Sequence, residues 1–354
     1  MINVLLLGVG GNVSQGILKA LRHSSLKTHV VGACISPYSS GLYLCDESLI
    51  SPFADDDRFT SWVIDVCLHY HIDIILTGVE EIILSLAKNI GQIHAETGAC
   101  FVSSSLEQLT IGQDKYLTCR WLKEHGCNYP DFCMMTDHQG VDRIIREHGF
   151  PLIVKPLHGK SAAGVSIVHS ASELAPLIDS DCFVLQEIIG SEASEYTVGC
   201  YVAESGWMPE PIIMQRRLKH GTTVYAKVVN NTAVRKEAEK ICSAFHPRGP
   251  LNIQMRQDVT GRAVCFELNV RFSGTTAMRA NFGFCDVEAL LREYILKQQN
   301  EDCFHIRLGE AFRYDNEFYL FQGGSDTMIS CSENAVPLAV SSLCPVHDSS
   351  FWRL

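Results

Sequence analysis

Short apolar runs alternate with amphipathic stretches through the first hundred residues. "NVLLLGVG" (3–10), "HVVGACIS" (29–36), "IDIILTG" (72–78) and "GACFVSS" (98–104) read as strands, being brief and rich in Val, Ile and Leu. Between them, "NVSQGILKALRHS" (12–24), "DDRFTSWVIDVCLHYH" (56–71) and "EEIILSLAKNIGQIH" (80–94) repeat apolar residues at helical spacing. Asn12 or Ser14 is expected near the first N-cap. This βαβ alternation means a doubly wound parallel sheet.

From about residue 113 the pattern changes. "QDKYLTCRWLKEHG" (113–126) and "VDRIIREHGF" (141–150) read as helices, "LIVKP" (152–156) and "VSIVHS" (165–170) as strands around the loop "LHGKSAAG". Strands then dominate until the helix "NTAVRKEAEKICSAF" (231–245), and "EFYLF" (317–321) is expected as a late strand.

One hairpin stands out. Leu251, Ile253 and Met255 alternate with Asn252, Gln254 and Arg256; Phe266, Leu268 and Val270 alternate with Glu267, Asn269 and Arg271. Successive strand side chains point to opposite faces, so the apolar trios are expected to face a core. "DVTGRA" (258–263) reads as the turn, with Gly261 free to take a positive φ. A loop symmetric about Thr260–Gly261 sets Gln254 opposite Glu267 and Asn252 opposite Asn269. Four oxygen-bearing side chains would then share one face, which suits Mg²⁺ or, equally, a solvated surface.

Bulk properties narrow the classes. The chain has 354 residues, 46% hydrophobic and 19% charged, as expected of a globular protein with two or three lobes. A formal net charge of −11 argues against binding nucleic acid through phosphate contacts. No apolar run nears the roughly 18–20 residues of a membrane span, and "VLLLGVG" lacks a basic lead, so a cytoplasmic protein is expected. The fifteen cysteines include no CxxC pair and read as reduced core thiols; His69 and His71 do not fill a metal site. In "GVGGNVSQG", Gly8 and Gly10 fit a dinucleotide fingerprint, but its third position is Val13 and no acid ends the second strand. A nicotinamide enzyme is poorly supported.

Taken in order, these motifs resemble the ATP-grasp superfamily, in the branch related to the large subunit of carbamoyl-phosphate synthase, which includes stand-alone carboxylate–amine ligases. The resemblance runs over about residues 1–300. It implies an α/β and α+β architecture: a doubly wound, Rossmann-like pre-ATP-grasp domain (1–110), a small lobe with a lid loop (111–182), a large lobe with the ATP and metal site (183–300), and a C-terminal appendage (301–354). Lys115 and Lys155 would meet nucleotide phosphates, with Gly159, Lys160, Ser161, Ala162 and Gly164 folding over them. Gln186, Glu187, Ile188 and Ile189 would form the adenine hinge, and Glu195, with Glu192 as competitor, would take the ribose hydroxyls. Gln254, Glu267 and Asn269 would bind metal; Arg271 and Lys160 would act on the transferring phosphoryl group. Gly10, Asn12, Arg216, Ser273 and Gly274 are candidate substrate contacts.

The activity so implied uses ATP and two Mg²⁺ ions, with Mn²⁺ as a substitute. A small carboxylate becomes an acyl phosphate, which an amine then attacks, within a biosynthetic pathway. The partners implied are the two small molecules, no nucleic acid and no membrane, with a homodimer as the assembly common in relatives. Alternatives are an enzyme making carbamoyl or carboxy phosphate from bicarbonate, and a non-catalytic nucleotide-binding subunit. Two departures stand out: Val270 replaces a frequent proline, and Gln254 is an amide where many relatives carry a carboxylate.

Overall fold

A computed structural model describes residues 1–159 and 164–316, with the backbone of two short paired strands, Tyr319–Leu320 and Ile329–Ser330. The chain forms two compact units, Met1–Phe101 with Asp315–Leu354, and Val102–Tyr314. Among the described residues no helix is long and apolar enough to cross a membrane.

The N-terminal unit runs β1 (Ile2–Leu7), α1 (Asn12–His23), β2 (Thr28–Cys34), β3 (Glu47–Ile50), α2 (Phe59–His69), β4 (Ile74–Thr77), α3 (Glu80–Thr97) and β5 (Cys100–Phe101). Its five strands form a parallel sheet of order β3-β2-β1-β4-β5. Leu5, Leu6, Leu7, Ile74 and Ile75 are all fully buried. That is why β1 and β4 read as unbroken apolar runs: a parallel strand is covered on both faces. The order reverses between β1 and β4, where the glycine loop lies. Here the expected cap differs. Gly11 is the N-cap and makes no side-chain cap bond, Asn12 is the first helical residue, and Ser14 lies inside α1. Ser14 instead ties the two strand ends together, donating from Oγ to the Leu7 carbonyl (2.8 Å) and accepting from the Gly78 amide (3.0 Å).

The second unit continues with α4 (Leu106–Gln113), α5 (Lys115–Glu124), β6 (Phe132–Met134), α6 (His138–His148), β7 (Leu152–Pro156), β8 (Ser166–Val168), α7 (Ala171–Leu174) and β9 (Phe183–Gln186). It then runs through β10 (Glu195–Val202), β11 (Ile212–Lys219), β12 (Thr222–Val228), α8 (Thr232–Phe245), β13 (Gly249–Gln257), β14 (Ala263–Asn269), α9 (Thr276–Asn281), α10 (Asp286–Tyr294) and β15 (Gly309–Phe312). Two antiparallel sheets result, β6-β9-β7-β8 and β14-β13-β10-β11-β12-β15. The expected architecture, a parallel sheet followed by a two-lobed region, is present, and both sheets of that region are antiparallel.

Three segments group differently from the expected boundaries. α4 packs with the second unit: Gln108 Nε2 donates to the carbonyls of Phe245 and His246, and Ser104 Oγ accepts from the Arg248 amide. β9 belongs to the smaller sheet, where it pairs with both β6 and β7. β15, expected in a separate appendage, completes the larger sheet against β12. Of "EFYLF", Tyr319–Leu320 is a strand and the rest lies outside the described residues.

The hairpin β13–β14 sets Asn252 opposite Asn269 and Gln254 opposite Glu267, but by a different route from a symmetric loop. The turn is centred on Thr260 and is one residue longer, with the Asp258 amide bonded to the Arg262 carbonyl and Gln257 opposite Ala263, and a bulge between Gln254 and Met255 restores the register. The bulge also reverses side-chain parity. Ala263, Cys265 and Leu268 join the core with Ile253, Met255 and the α8 residues Val234, Ile241 and Cys242, and Val270 packs against it. Phe266, expected in that core, is the residue left without a cross-strand partner and turns to the other face.

Against β10 lies a fully buried ion pair, Arg279 Nη2 to Asp286 Oδ2 at 3.0 Å. Gly199 makes room for it, since a Cβ there would lie 2.2 Å from Arg279 Nη1. Burial, opposed by Arg279, leaves the Asp286 carboxyl raised to about 6. Removing Arg279 would raise it further above its unfolded value, so stability would be lost as pH rises through the folded pKa. Arg279→Met is expected to cost about 3–5 kcal/mol at pH 8 and less at pH 5, and Arg279→Met/Asp286→Leu to recover most of the loss. Urea unfolding of both variants at the two pH values checks this.

Candidate functional site

The site is assembled from facing surfaces of the two sheets in the second unit. β7 and β9 pair so that Ile153 lies opposite Gln186 and Lys155 opposite Val184. Leu152, Val154 and Leu185, of opposite parity, form a core with Cys133 and Ile144. Lys155 and Gln186 therefore project from the other face. The Lys155 ammonium lies 5.1 Å from the centroid of the Phe266 ring, and the Arg256 guanidinium lies 5.9 Å from the same ring. Each such contact contributes roughly 0.5–2 kcal/mol. Burial pushes the Lys155 ammonium below the ordinary lysine range; Cys119 and Glu267 oppose the shift, while Lys115 and Arg256 add to it. A cation held this way is strengthened by an anionic ligand.

The hairpin supplies the oxygen atoms. Glu267 is half-buried and opposite Gln254, whose Oε1 accepts from Arg216 Nη2 at 2.7 Å. Asn252 Oδ1 accepts from Thr197 Oγ1, which takes Asn252 out of the free ligand set. Asn269 keeps an amide nitrogen with no partner. The Glu267 carboxylate and the Asn269 amide are hard oxygen donors of the kind Mg²⁺ takes, with phosphate oxygens completing the shell, so the residues fit that ion. Arg271 follows, its amide bonded to the Asn269 carbonyl (2.8 Å) and its Nη1 to the Phe272 carbonyl (2.9 Å).

Glu195 is not an open carboxylate. Arg216 donates to Oε1 through both Nε (3.0 Å) and Nη2 (2.8 Å), and Arg256 to Oε2 through Nε (2.9 Å) and Nη2 (2.7 Å). A ribose would have to compete with two charge-assisted pairs at a residue only 5% exposed. Glu192 is exposed, in the short 3₁₀ turn Glu192–Ser194.

At the end of β9, Gln186 is fully buried; Nε2 donates to Cys119 Sγ (3.1 Å) and Oε1 has no partner. That orphan acceptor fits an exocyclic amine such as that of adenine. Glu187 is committed elsewhere, Oε1 accepting from the Asp131 amide (2.8 Å) and Oε2 lying 3.4 Å from His148 Nδ1. Ile188 is half-buried and Ile189 buried. The chain leaving β7 is held by Lys115, whose amide bonds to the Leu157 carbonyl and whose Nζ reaches the Gly159 carbonyl (3.4 Å). Gly164 takes φ +73° where the chain leaves the loop. Lys160, Ser161 and Ala162 lie outside the described residues. Ser273 and Gly274 form a turn knit by Ser273 Oγ to Thr275 Oγ1 (2.8 Å) and by Arg313 Nη2 to the Gly274 carbonyl (2.6 Å). Gly10 and Asn12 belong to the loop and first helical residue of the N-terminal unit.

Sequence reasoning missed Arg256 and Phe266 as parts of this site. Arg256 shares the hairpin's polar alternation and carried that signal; the turn of Phe266 depends on a bulge that no alternation encodes.

Residues 181–311 match the family model described as "ATP-grasp in the biosynthetic pathway with Ter operon", and residues 4–99 match "PylC-like, N-terminal domain". Among curated proteins, a D-alanine–D-alanine ligase of Ralstonia pickettii is 29% identical over 141 residues, 36% of this chain and 42% of that protein. A formate-dependent phosphoribosylglycinamide formyltransferase of Synechococcus is 25% identical over 172 residues, 48% of this chain and 41% of that protein. The chain thus spans less than half the length of the curated relatives it matches. Among solved structures, the ADP complex of N5-carboxyaminoimidazole synthetase from Staphylococcus aureus superposes with a TM-score of 0.66 at 15% identity, covering 88% of this chain and 80% of that one. An L-amino acid ligase from Bacillus licheniformis gives 0.65 at 16% identity, covering 91% and 82%. Both family models are thus matched in this order along one chain: a PylC-like N-terminal domain followed by an ATP-grasp domain.

Proposed function

We propose that the chain is an ATP- and Mg²⁺-dependent ligase that activates a small carboxylate and joins it to an amine. The observation that carries this reading is the meeting of Lys155, from one sheet, with the Phe266–Glu267 edge of the other, beside Gln254 and Asn269. Cations and one acid converge there, which suits an anionic ligand that brings its own metal. The resemblance to a D-alanine–D-alanine ligase supports the reaction class.

In this reading the γ-phosphoryl group leaves the β-phosphate oxygen for a carboxylate oxygen, giving ADP and an acyl phosphate. The amine nitrogen then attacks the acyl carbon, the carbon–oxygen bond to phosphate breaks, and the amine loses a proton. Lys155 and Lys115 hold phosphates, Arg271 neutralises charge developing on the moving group, and Gln186 with the backbone of Glu187–Ile189 reads adenine. Lys160 adds positive charge for the moving phosphoryl group, and Gly159, Ser161, Ala162 and Gly164 offer backbone N–H groups to the triphosphate. Mg²⁺, or Mn²⁺ in its place, would be held by Glu267 and Asn269 and would supply Lewis-acid stabilisation of phosphate charge. A pair of ions, as the resemblance implies, would have to share one carboxylate. Glu192 suits the ribose better than Glu195, whose oxygens are occupied. The carboxylate and amine contacts fall to Ser273 and Gly274. A cytosolic homodimer is the expected setting.

ADP release coupled to amide formation across a panel of acids and amines tests the ligase; no amide with any pair would end it. ADP release that needs bicarbonate but no amine would favour a carboxy-phosphate-forming enzyme instead. Glu267→Gln is expected to keep nucleotide binding in calorimetry while lowering turnover by at least ~100-fold, a loss of the size seen when a transition-state charge contact is removed. Lys155→Met should weaken ATP binding by about tenfold or more, the effect of losing one charge-assisted contact of roughly 1.5–3 kcal/mol.

A further inference from the structure

A fixed cation already stands beside the ligand set. Arg216 reaches Gln254 Oε1 at 2.7 Å, and Nε and Nη2 both hold Glu195 Oε1 at 3.0 and 2.8 Å. It is only 8% exposed, and the second oxygen of Glu195 is taken by Arg256, so the guanidinium is pinned rather than swinging in solvent. Two guanidinium groups against one carboxylate leave a net positive charge here. Across the strand pair, Glu267 is the single acid of the hairpin face, since Gln254 brings no charge. A divalent ion bound by Gln254 would therefore sit against a positive guanidinium with one carboxylate to share.

We propose that Arg216 takes the place of one of two divalent ions, so that the nucleotide is bound with a single ion on the Glu267–Asn269 side. This rests on the ATP-site reading above. The amide at Gln254 is what permits the arrangement: its oxygen accepts from the guanidinium, while its lack of charge leaves the second metal position without a counterion. Arg216 Nη1 has no hydrogen-bond partner among the described residues, so its two N–H groups are free for a phosphate oxygen. A planar guanidinium held through its other nitrogens is well suited to that contact. Arg256 keeps Glu195 anchored, which stops Arg216 from being drawn away from Gln254.

The test counts metal ions directly. The full-length protein, saturated with a non-hydrolysable imido analogue of ATP, is titrated with Mn²⁺ and free ion is read by electron paramagnetic resonance. One Mn²⁺ per bound nucleotide is expected, and Arg216→Met/Gln254→Glu should raise the ratio to two. A wild-type ratio of two overturns the proposal and leaves the ATP site intact, whereas failure of the analogue to bind overturns both. A double variant that binds nucleotide yet still holds one ion also overturns it. If that variant does not fold, the wild-type ratio decides alone.

Discussion

The site depends on the register in which Gln254 meets Glu267 across β13 and β14. Side chains alternate along a strand, so a slip of one residue would drive Glu267 and Asn269 toward α8 and bring Leu268 into the cleft. A carboxylate lodged among Val234, Ile241 and Cys242 without a partner would cost several kcal/mol. The core under the larger sheet thus selects the one pairing that aligns the oxygen donors. The bulge adds to this by releasing Phe266 to the site face, where its ring lies beside Lys155 and Arg256.

Charge is distributed unevenly around that pairing. The chain as a whole carries −11, yet Lys155, Arg216, Arg256 and Arg271 gather near the hairpin against Glu195 and Glu267. Net charge speaks to solubility and long-range attraction, whereas a buried cleft is governed by what lies within a few ångströms. Glu195 shows how. With both oxygens bonded to guanidinium groups it serves to hold cations in place, and its position before Tyr196 says nothing of that use, because Arg216 and Arg256 come from two other strands.

The elements with strong periodicity were legible. β1, β4, α3 and α8 follow from apolar spacing alone, whereas the expected pairing of Asn252 with Asn269 holds only because the bulge offsets the longer turn. What could not be read were the features set by non-local contacts. β9 joined the smaller sheet through pairing with β6 and β7, and β15 closed the larger one against β12 from some eighty residues away. Ser14 was drawn from capping into a strand-end link because the Leu7 carbonyl and Gly78 amide lie within its reach. The identity of the acid in the site, Glu267, was legible because it is the one acid on a face of amides and arginines.

The end of β9 completes the picture through a constraint on Glu187. Its side chain is held by the Asp131 amide, and Asp131 is itself bonded by Arg143 and by His148 at 3.0 Å. Burial would raise the Asp131 carboxyl, but the bonds from Arg143 and His148 outweigh this and hold it below the usual range. Glu187 is thereby a strut joining the strand end to α6, not a free group for a base to recruit. An adenine at this edge would be left with backbone groups of residues 187–189 and with Gln186 Oε1, the buried acceptor that has no partner. A polar oxygen so enclosed costs about 1–3 kcal/mol when unpaired, and an exocyclic amine would relieve that cost on binding. A guanine carbonyl at the same point would instead set two acceptors against each other.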